Sequence, residues 1–327
     1  MAQRRSGLLL GAIGLLVLVG LLVRPPDGAA QGPDPIRVAV GVDPVFTPWW
    51  VADEKGFFKK YNLKAEITQF SGGPALADAT MAGEADFGSS GTATWMPRIV
   101  RGGLVVLANI ATSPDNFKMA ARTTIKSPAE LRGKKVGSVG GSSTDYLWVL
   151  FAKKYNIPES ELSVVPMPPP ELIPSLDRGD IQAFFVWEPW PSKAVEVSGK
   201  DKVHIIANSG DVGYFLNFIA VANKKFAEAK PDVTTRVLAA IRDAIDFINK
   251  ERAQAVKIGA EKSKLKPELA AYIMNLYKFS VSITDELVSA SRTEEAWMRS
   301  KERLKGEPID WSKTIDRRFF DRAMALK

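Results

Sequence analysis

A seven-residue sequence occurs twice in this chain, and the distance between the copies sets the architecture. Phe57-Phe58-Lys59-Lys60-Tyr61-Asn62-Leu63 returns as Phe151-Ala152-Lys153-Lys154-Tyr155-Asn156-Ile157, identical at five of seven positions at an offset of 94. Pro74-Ala75-Leu76 leading to Gly83-Glu84-Ala85-Asp86 is answered by Pro170-Glu171-Leu172 leading to Gly179-Asp180-Ile181-Gln182, at an offset of 96. Leu107-Ala108-Asn109 is answered by Ile206-Ala207-Asn208, at an offset of 99. Convergent helix-end chemistry is the competing account, because lysines and a terminal Gly or Asn suit any helix end. Three matches in one order at a nearly constant offset favour a repeated structural unit.

Each half has the same grammar. An apolar strand opens it, at Ile36–Val42 and at Lys135–Val139. A polar loop and a helix ending at the Lys-Lys-Tyr-Asn copies follow. Second strands fall at Leu63–Phe70 and Leu162–Met167, and the next helices stop at Gly83 and Gly179. Third strands start at the acidic residues after those glycines. Helices near Thr92–Arg101 and Glu188–Val197 and strands at Leu104–Ala111 and Val203–Asn208 close the halves. Strands alternating with helices predict two α/β lobes, each with a largely parallel sheet. Tyr214–Asn223 reads as a strand returning the chain to the first lobe. Beyond it Val233, Val237, Ile241, Ile245 and Ile248 recur at helical spacing within Pro231–Lys250. Further helices are expected near Pro267–Phe279 and Thr284–Arg303. Lobe 1 is thus expected over 34–115 plus 214–327 and lobe 2 over 116–213, with crossings near 111–118 and 209–217. Two crossings make a hinge, and a cleft between lobes is a favoured ligand site.

Composition removes several classes of chemistry. The 327 residues contain no cysteine and a single histidine, His204. Disulfides, thiolate nucleophiles, thiolate zinc sites and multi-histidine metal sites are excluded. His204 lies in an apolar strand-like run and reads as structural. The net charge of +7 is spread over pairs beside acids, with no run of five basic residues, so no nucleic-acid partner is expected. At the start, Arg4 and Arg5 precede the uncharged stretch Leu8–Val23, and Gly28-Ala29-Ala30 follows. That order predicts a signal peptide over 1–30 and export to the periplasm. An uncleaved anchor is the alternative, and Arg4-Arg5 leaves Sec and twin-arginine export both open.

Ligands of open parallel sheets sit beyond the carboxyl ends of the strands. The segments expected there are Asp43–Trp50, Ser71-Gly72-Gly73, Ser89-Ser90-Gly91-Thr92, Gly140–Asp145 and Val186–Trp190. Three are small, glycine-rich and hydroxyl-bearing, each just before a predicted helix. Unpaired N–H groups and positive helix ends would then point at one place, which suits an oxyanion. Plain N-capping by Ser and Thr explains any one of these loops equally well. Trp49, Trp50, Trp187 and Trp190 fall in or beside the loops, as pocket walls or as packing beneath them. Glu188 stands ready either for a ligand amine or for the first turn of its own helix. No GxGxxG run, Walker lysine motif or nucleophile elbow is present.

Several motifs are familiar. Lys55-Gly56-Phe57-Phe58, Gly72-Gly73, Gly83-Glu84-Ala85-Asp86-Phe87-Gly88, Leu131–Gly137 and Trp187-Glu188-Pro189 resemble those of the solute-binding proteins of ABC importers in the sulfonate, taurine and nitrate group. Thiamine-pyrimidine binders are related. The resemblance covers roughly 36–225. It implies the two-lobed periplasmic-binding-protein fold of type II, with two crossings and a C-terminal helical extension. It also implies a small-molecule ligand, a membrane permease as partner, a monomer, and neither cofactor nor metal. Ligand loops carried over by position are Thr47, Pro48 and Trp49; Ser71, Gly72 and Gly73; Ser89, Ser90, Gly91 and Thr92; Ser142, Ser143 and Thr144; and Trp187 with Glu188. None of these loops holds Arg or Lys, so an oxyanion would be held by neutral donors. Related enzymes, a thiamine-pyrimidine synthase and a desulfinase, depend on cysteines absent here. The readings in play are an importer's binding protein for a sulfonate, taurine or nitrate, a pyrimidine or aromatic-acid binder, a sensing module, and an enzyme on the same fold.

Overall fold

The computed structural model describes residues 32–326, so the expected signal peptide over 1–30 lies outside the described residues. The first repeat runs β1 (Asp34–Val40), α1 (Thr47–Glu54), α2 (Phe57–Lys60), β2 (Leu63–Gln69), α3 (Gly73–Ala82), β3 (Phe87–Gly91), α4 (Thr92–Ile99) and β4 (Leu104–Ser113). β5 (Phe117–Arg122) follows at once. The second repeat runs β6 (Lys135–Ser138), α5 (Ser143–Lys154), β7 (Ser163–Pro166), α6 (Pro169–Arg178), β8 (Ala183–Trp187), α7 (Trp190–Ser198) and β9 (Val203–Asn208). Then come β10 (Leu216–Asn223), α8 (Lys224–Ala229), α9 (Pro231–Lys250), α10 (Arg252–Ser263), α11 (Pro267–Asn275), β11 (Lys278–Ser282), α12 (Asp285–Ser300), α13 (Trp311–Thr314) and α14 (Arg317–Ala325).

The repeat is structural to the level of single dihedrals. Asn62 and Asn156, which follow the two lysine pairs, share a left-handed φ of 51°. Gly83 and Gly179 end α3 and α6 with φ of 79° and 83°, where a side chain would strain the backbone. The two sheets share one strand order. Read from the β2 edge, sheet 1 is β2-β1-β3-β10-β4-β11, and sheet 2 is β7-β6-β8-β5-β9. Each repeat therefore sends its fifth strand, β5 or β10, into the other sheet. There it lies antiparallel between the third and fourth strands of its host. The exchange interlocks the lobes and creates both crossings, at 114–116 and 209–215.

Three expectations change. The sheets are mixed, because the exchanged strands run antiparallel while β1 and β6 pair in parallel with both neighbours. β5 was not foreseen, since its short run Phe-Lys-Met-Ala-Ala-Arg lacks the alternation that marks a half-exposed strand. The helix expected over Pro267–Phe279 stops at Asn275, and Lys278–Ser282 pairs with β4 as an edge strand. By contrast, α9 buries Val233, Val237, Ile241, Ile245 and Ile248, the five residues of the expected face. At about 1.5–3 kcal/mol each, that stripe anchors the helical extension to sheet 1.

Candidate functional site

A cavity opens between the two sheets where α3, α4 and α5 begin. It encloses about 500 Å³ counting its solvent-open mouth. From the side of sheet 1 it is lined by Gly41, Val42, Asp43, Val45, Phe46, Ser71, Gly72, Gly73, Ser90, Gly91, Thr94, Leu216, Phe218 and Tyr277. From the side of sheet 2 come Asn116, Phe117, Ser142, Ser143 and Trp187. The lobes approach closely here. A side chain on Gly91 would place its Cβ 2.7 Å from Ser143 Oγ, and one on Gly72 would sit 3.4 Å from Pro169 Cγ.

The helix starts explain what this cavity can hold. α3 and α4 have Gly72 and Gly91 as caps, without a side-chain acceptor for their first N–H groups. α5 is capped by Ser142, whose Oγ accepts from Thr144 N at 3.3 Å. Each helix end carries roughly half a positive charge in its free N–H groups. Ser143 Oγ is buried at the cavity wall without a partner. Unspent donors facing a small space suit an anion's oxygens. Among the described residues, no Lys or Arg lines the cavity.

Of the residues expected from sequence, Ser71, Gly72, Gly73, Ser90, Gly91, Ser142, Ser143 and Trp187 line the cavity. Seven do not. Thr47, Pro48 and Trp49 form the buried start of α1 rather than a loop. Thr47 Oγ1 donates to the Pro44 carbonyl at 2.7 Å and packs under Gly259 of α10. Trp49 Nε1 donates to Ser89 Oγ at 3.0 Å, so Trp49 and Ser89 satisfy each other behind the cavity wall. Ser89, Ser90 and Gly91 belong to β3 rather than to a loop, and pleating sends alternate residues to opposite sides. Thr92 Oγ1 donates to Glu294 Oε2 on α12. Thr144 Oγ1 sits among Ser138, Val139 and Ser142, closing the α5 cap.

Glu188 is the main correction. Its carboxylate accepts Ser192 N at 3.1 Å and Ser192 Oγ at 2.8 Å, in the first turn of α7. It is fully buried and lies outside the cavity lining. Burial raises its pKa, while the bonds from Ser192 oppose that rise. His204 is likewise structural. Its Nε2 lies 2.8 Å from the Ile125 carbonyl, which can only accept, so that nitrogen carries the proton.

Sequence reasoning missed the acid that does line the cavity. Asp43, at the end of the first strand–turn, accepts Val45 N on Oδ1 at 3.2 Å. Burial pushes its carboxyl up to about 7, against backbone N–H bonds that hold it down. Asn116, in the first crossing, is buried and leaves Oδ1 unpaired. Tyr277 is brought in by the connection into β11, and burial pushes its phenol well above the ordinary value. Phe46, Phe218, Phe117 and Trp187 supply aromatic wall, the last two edge to face at 6.2 Å. The only sequence signal for Asp43 was its place after the first strand. Asn116 and Tyr277 had none, because both arrive through strands that were not foreseen.

Two sheets with exchanged strands, two crossings and a cavity between them define the periplasmic-binding-protein fold. A family description, NMT1/THI5 like, matches residues 43–255, and the chain belongs to that family. A Brucella abortus (strain 2308) chain named as a binding protein is 32% identical over 247 residues, covering 72% of this chain and 74% of that one. The taurine-binding periplasmic protein of Escherichia coli (strain K12) is 26% identical over 216 residues, 64% of this chain and 65% of its own. Among solved structures, the periplasmic aliphatic sulphonate binding protein SsuA from Escherichia coli superposes with a TM-score of 0.73 at 19% identity. The match covers 87% of this chain and 92% of that chain. At that identity the likeness speaks for the fold alone. These relatives are named as binding proteins, not enzymes. No helix among the described residues is long and apolar enough to cross a membrane.

Proposed function

We propose that this protein is the substrate-binding component of an ABC importer, capturing a small oxyanion-bearing solute in the interlobe cavity and delivering it to a membrane permease. The observation that carries the reading is the convergence of three helix starts and the unpaired Ser143 Oγ on one cavity that no basic residue lines among the described residues. Ser71, Gly72, Gly73, Ser90, Gly91, Ser142, Ser143 and Trp187 are its ligand contacts. Lobe 1 comprises 34–115 with 214–327, and lobe 2 comprises 116–213. The lobes swing about the two crossings, and the ligand stabilises the closed form by touching both. The protein works as a monomer in the periplasm, exported by its first thirty residues, and performs no chemistry on its ligand.

Trp187 reports on the site. Protein freed of ligand by unfolding and refolding is titrated with taurine, alkanesulfonates, nitrate, bicarbonate, aromatic carboxylates and thiamine pyrimidines while tryptophan emission is followed. Saturable binding at micromolar concentration or below to an oxyanion class, without turnover, is the expected result. Binding confined to the pyrimidines removes the oxyanion assignment. A folded protein silent to the whole panel removes the importer reading.

A further inference from the structure

Two buried hydroxyls stand together at the start of α5. Ser143 Oγ, at the cavity wall, and the Tyr214 hydroxyl, in the second crossing, both lack a hydrogen bond of ordinary geometry. They are neighbours, and Tyr214 also lies beside the Glu294 carboxyl of α12. Glu294 is itself buried and accepts from Thr92 Oγ1, at the first residue of α4. Neighbouring oxygens therefore connect Glu294 through Tyr214 to Ser143 and the cavity. The polar groups set against Glu294 are Thr92 from α4, Tyr146 from α5 and Tyr214 from the crossing. Among the described residues no Lys or Arg pairs with it. The next acid of α12, Glu295, is turned to Arg299 and Trp311, and Asp145 of α5 is turned to Arg303. Burial without a cation pushes the Glu294 carboxyl up to about 7.

A chain of hydroxyls donates in one direction at a time, and the group at its end sets the direction. An ionised Glu294 only accepts. Tyr214 then donates to it, Ser143 donates to Tyr214, and the cavity meets the lone pairs of Ser143. A protonated Glu294 reverses the order: it donates to Tyr214, Tyr214 donates to Ser143, and Ser143 offers its hydrogen to the cavity. Only the second order suits an oxyanion, and a second negative charge nearby favours the same protonated form. We propose that Glu294 is a positioning residue of the solute site: its proton, acting through Tyr214, makes Ser143 a donor, so an oxyanion binds together with one proton taken from solvent. This rests on the reading of the interlobe cavity as an oxyanion site. No bond of the ligand is made or broken.

Ethanesulfonate and nitrate keep their charge from about pH 6 to about pH 8.5, so a pH dependence of their binding belongs to the protein. Calorimetry on the ligand-free full chain is expected to show the affinity for at least one of them falling about tenfold or more across that range. Proton uptake on binding, read at the upper pH from buffers of differing ionisation enthalpy, accompanies it. In Glu294→Gln the amide accepts from Thr92 and donates to Tyr214 at every pH. This variant is expected to bind at the upper pH within about threefold of the unaltered protein at the lower one, without proton uptake. Tyr214→Phe cuts the chain, so affinity falls at the lower pH and the slope disappears. A merely structural role would weaken binding in both variants and leave the slope. A slope unchanged in Glu294→Gln belongs to Asp43, the other buried acid at the cavity, and overturns the role of Glu294. Equal affinity of the unaltered protein at both pH values overturns it too, while the oxyanion site stands. Should Glu294→Gln fail to fold, Tyr214→Phe decides: loss of the slope supports the proposal and its survival overturns it. Binding of neither anion at either pH overturns both the proposal and the oxyanion reading beneath it.

Discussion

Gly91 shows how much a single atom decides here. Its φ of −62° is open to any residue, so the backbone does not call for glycine. The space does: a Cβ would lie 2.7 Å from Ser143 Oγ across the cavity and 3.1 Å from Leu216 Cδ1. Gly91→Ala is therefore expected to fold normally yet hold the lobes apart, weakening ligand binding about tenfold or more by calorimetry, since contacts from the two sheets can then no longer meet on one ligand. Gly72 supplies the contrast. Its added Cβ would meet Pro169 and Trp187 at 3.4 and 3.7 Å, ordinary contact distances, so Gly72→Ala is expected to change affinity by less than about threefold. Equal losses for the two variants would show that close approach at Gly91 is not what closes the cavity. At this scale the sequence was half legible. Small and hydroxyl-bearing residues before helices marked seven of the lining positions. The same residue types at Ser89, Thr92 and Thr144 turned inward, because which face of a strand or turn a side chain takes depends on its neighbours.

Among the elements, α12 joins parts that the linear order keeps far apart. Its Glu294 is buried between Thr92 at the start of α4 and Tyr214 in the second crossing. Its Trp297 packs tilted against Tyr146 of α5 at 4.8 Å between centroids. Burial pushes the Glu294 carboxyl up from 4.5 to about 7, while the bond from Thr92 and the nearby Tyr214 hydroxyl oppose it. A raised carboxyl pKa means the folded state holds its proton longer than the unfolded chain. The favourable contribution is full below pH 4.5 and is lost as pH rises through about 7. Glu294→Gln keeps a partner for Thr92 and carries no charge. The unaltered protein is expected to lose on the order of 3 kcal/mol more than this variant between pH 4.5 and 8, read from denaturant midpoints at each pH. Parallel pH profiles would show that Glu294 is solvated in solution. Nothing in Ser-Arg-Thr-Glu-Glu-Ala-Trp marks this role, because an acid in a polar helix reads as an exposed one.

Over the whole molecule, strand exchange ties the two sheets together at the crossings. Ser209 links the two crossings, its Oγ donating to the Pro114 carbonyl at 2.8 Å and its N–H to that of Phe117 at 2.9 Å. Ion pairs at the surface also join the two halves: Lys266–Glu196 at 2.5 Å, Lys301–Glu159 at 2.8 Å and the partly buried Arg303–Asp145 at 3.2 Å. Exposed pairs contribute little individually. Lys266→Glu, which sets like charges on Glu196, is expected to lower ligand affinity only two- to threefold, and less at high salt. A loss as large as that of Gly91→Ala would place closure energy in the surface ion pairs instead of in the cavity.

The linear order of residues was enough for the repeat, the alternation of strand and helix, the two returns of the chain and the apolar stripe of α9. Each is a local pattern, or a comparison of two local patterns, and local patterns are carried by backbone propensity and periodicity. The tertiary structure alone decided that β5 and β10 change sheets, that Trp49 and Glu188 serve the scaffold, and that Asp43, Asn116 and Tyr277 meet at one cavity. Those three residues are far apart along the chain and share no motif. Only the packing of two lobes brings them within reach of one small molecule.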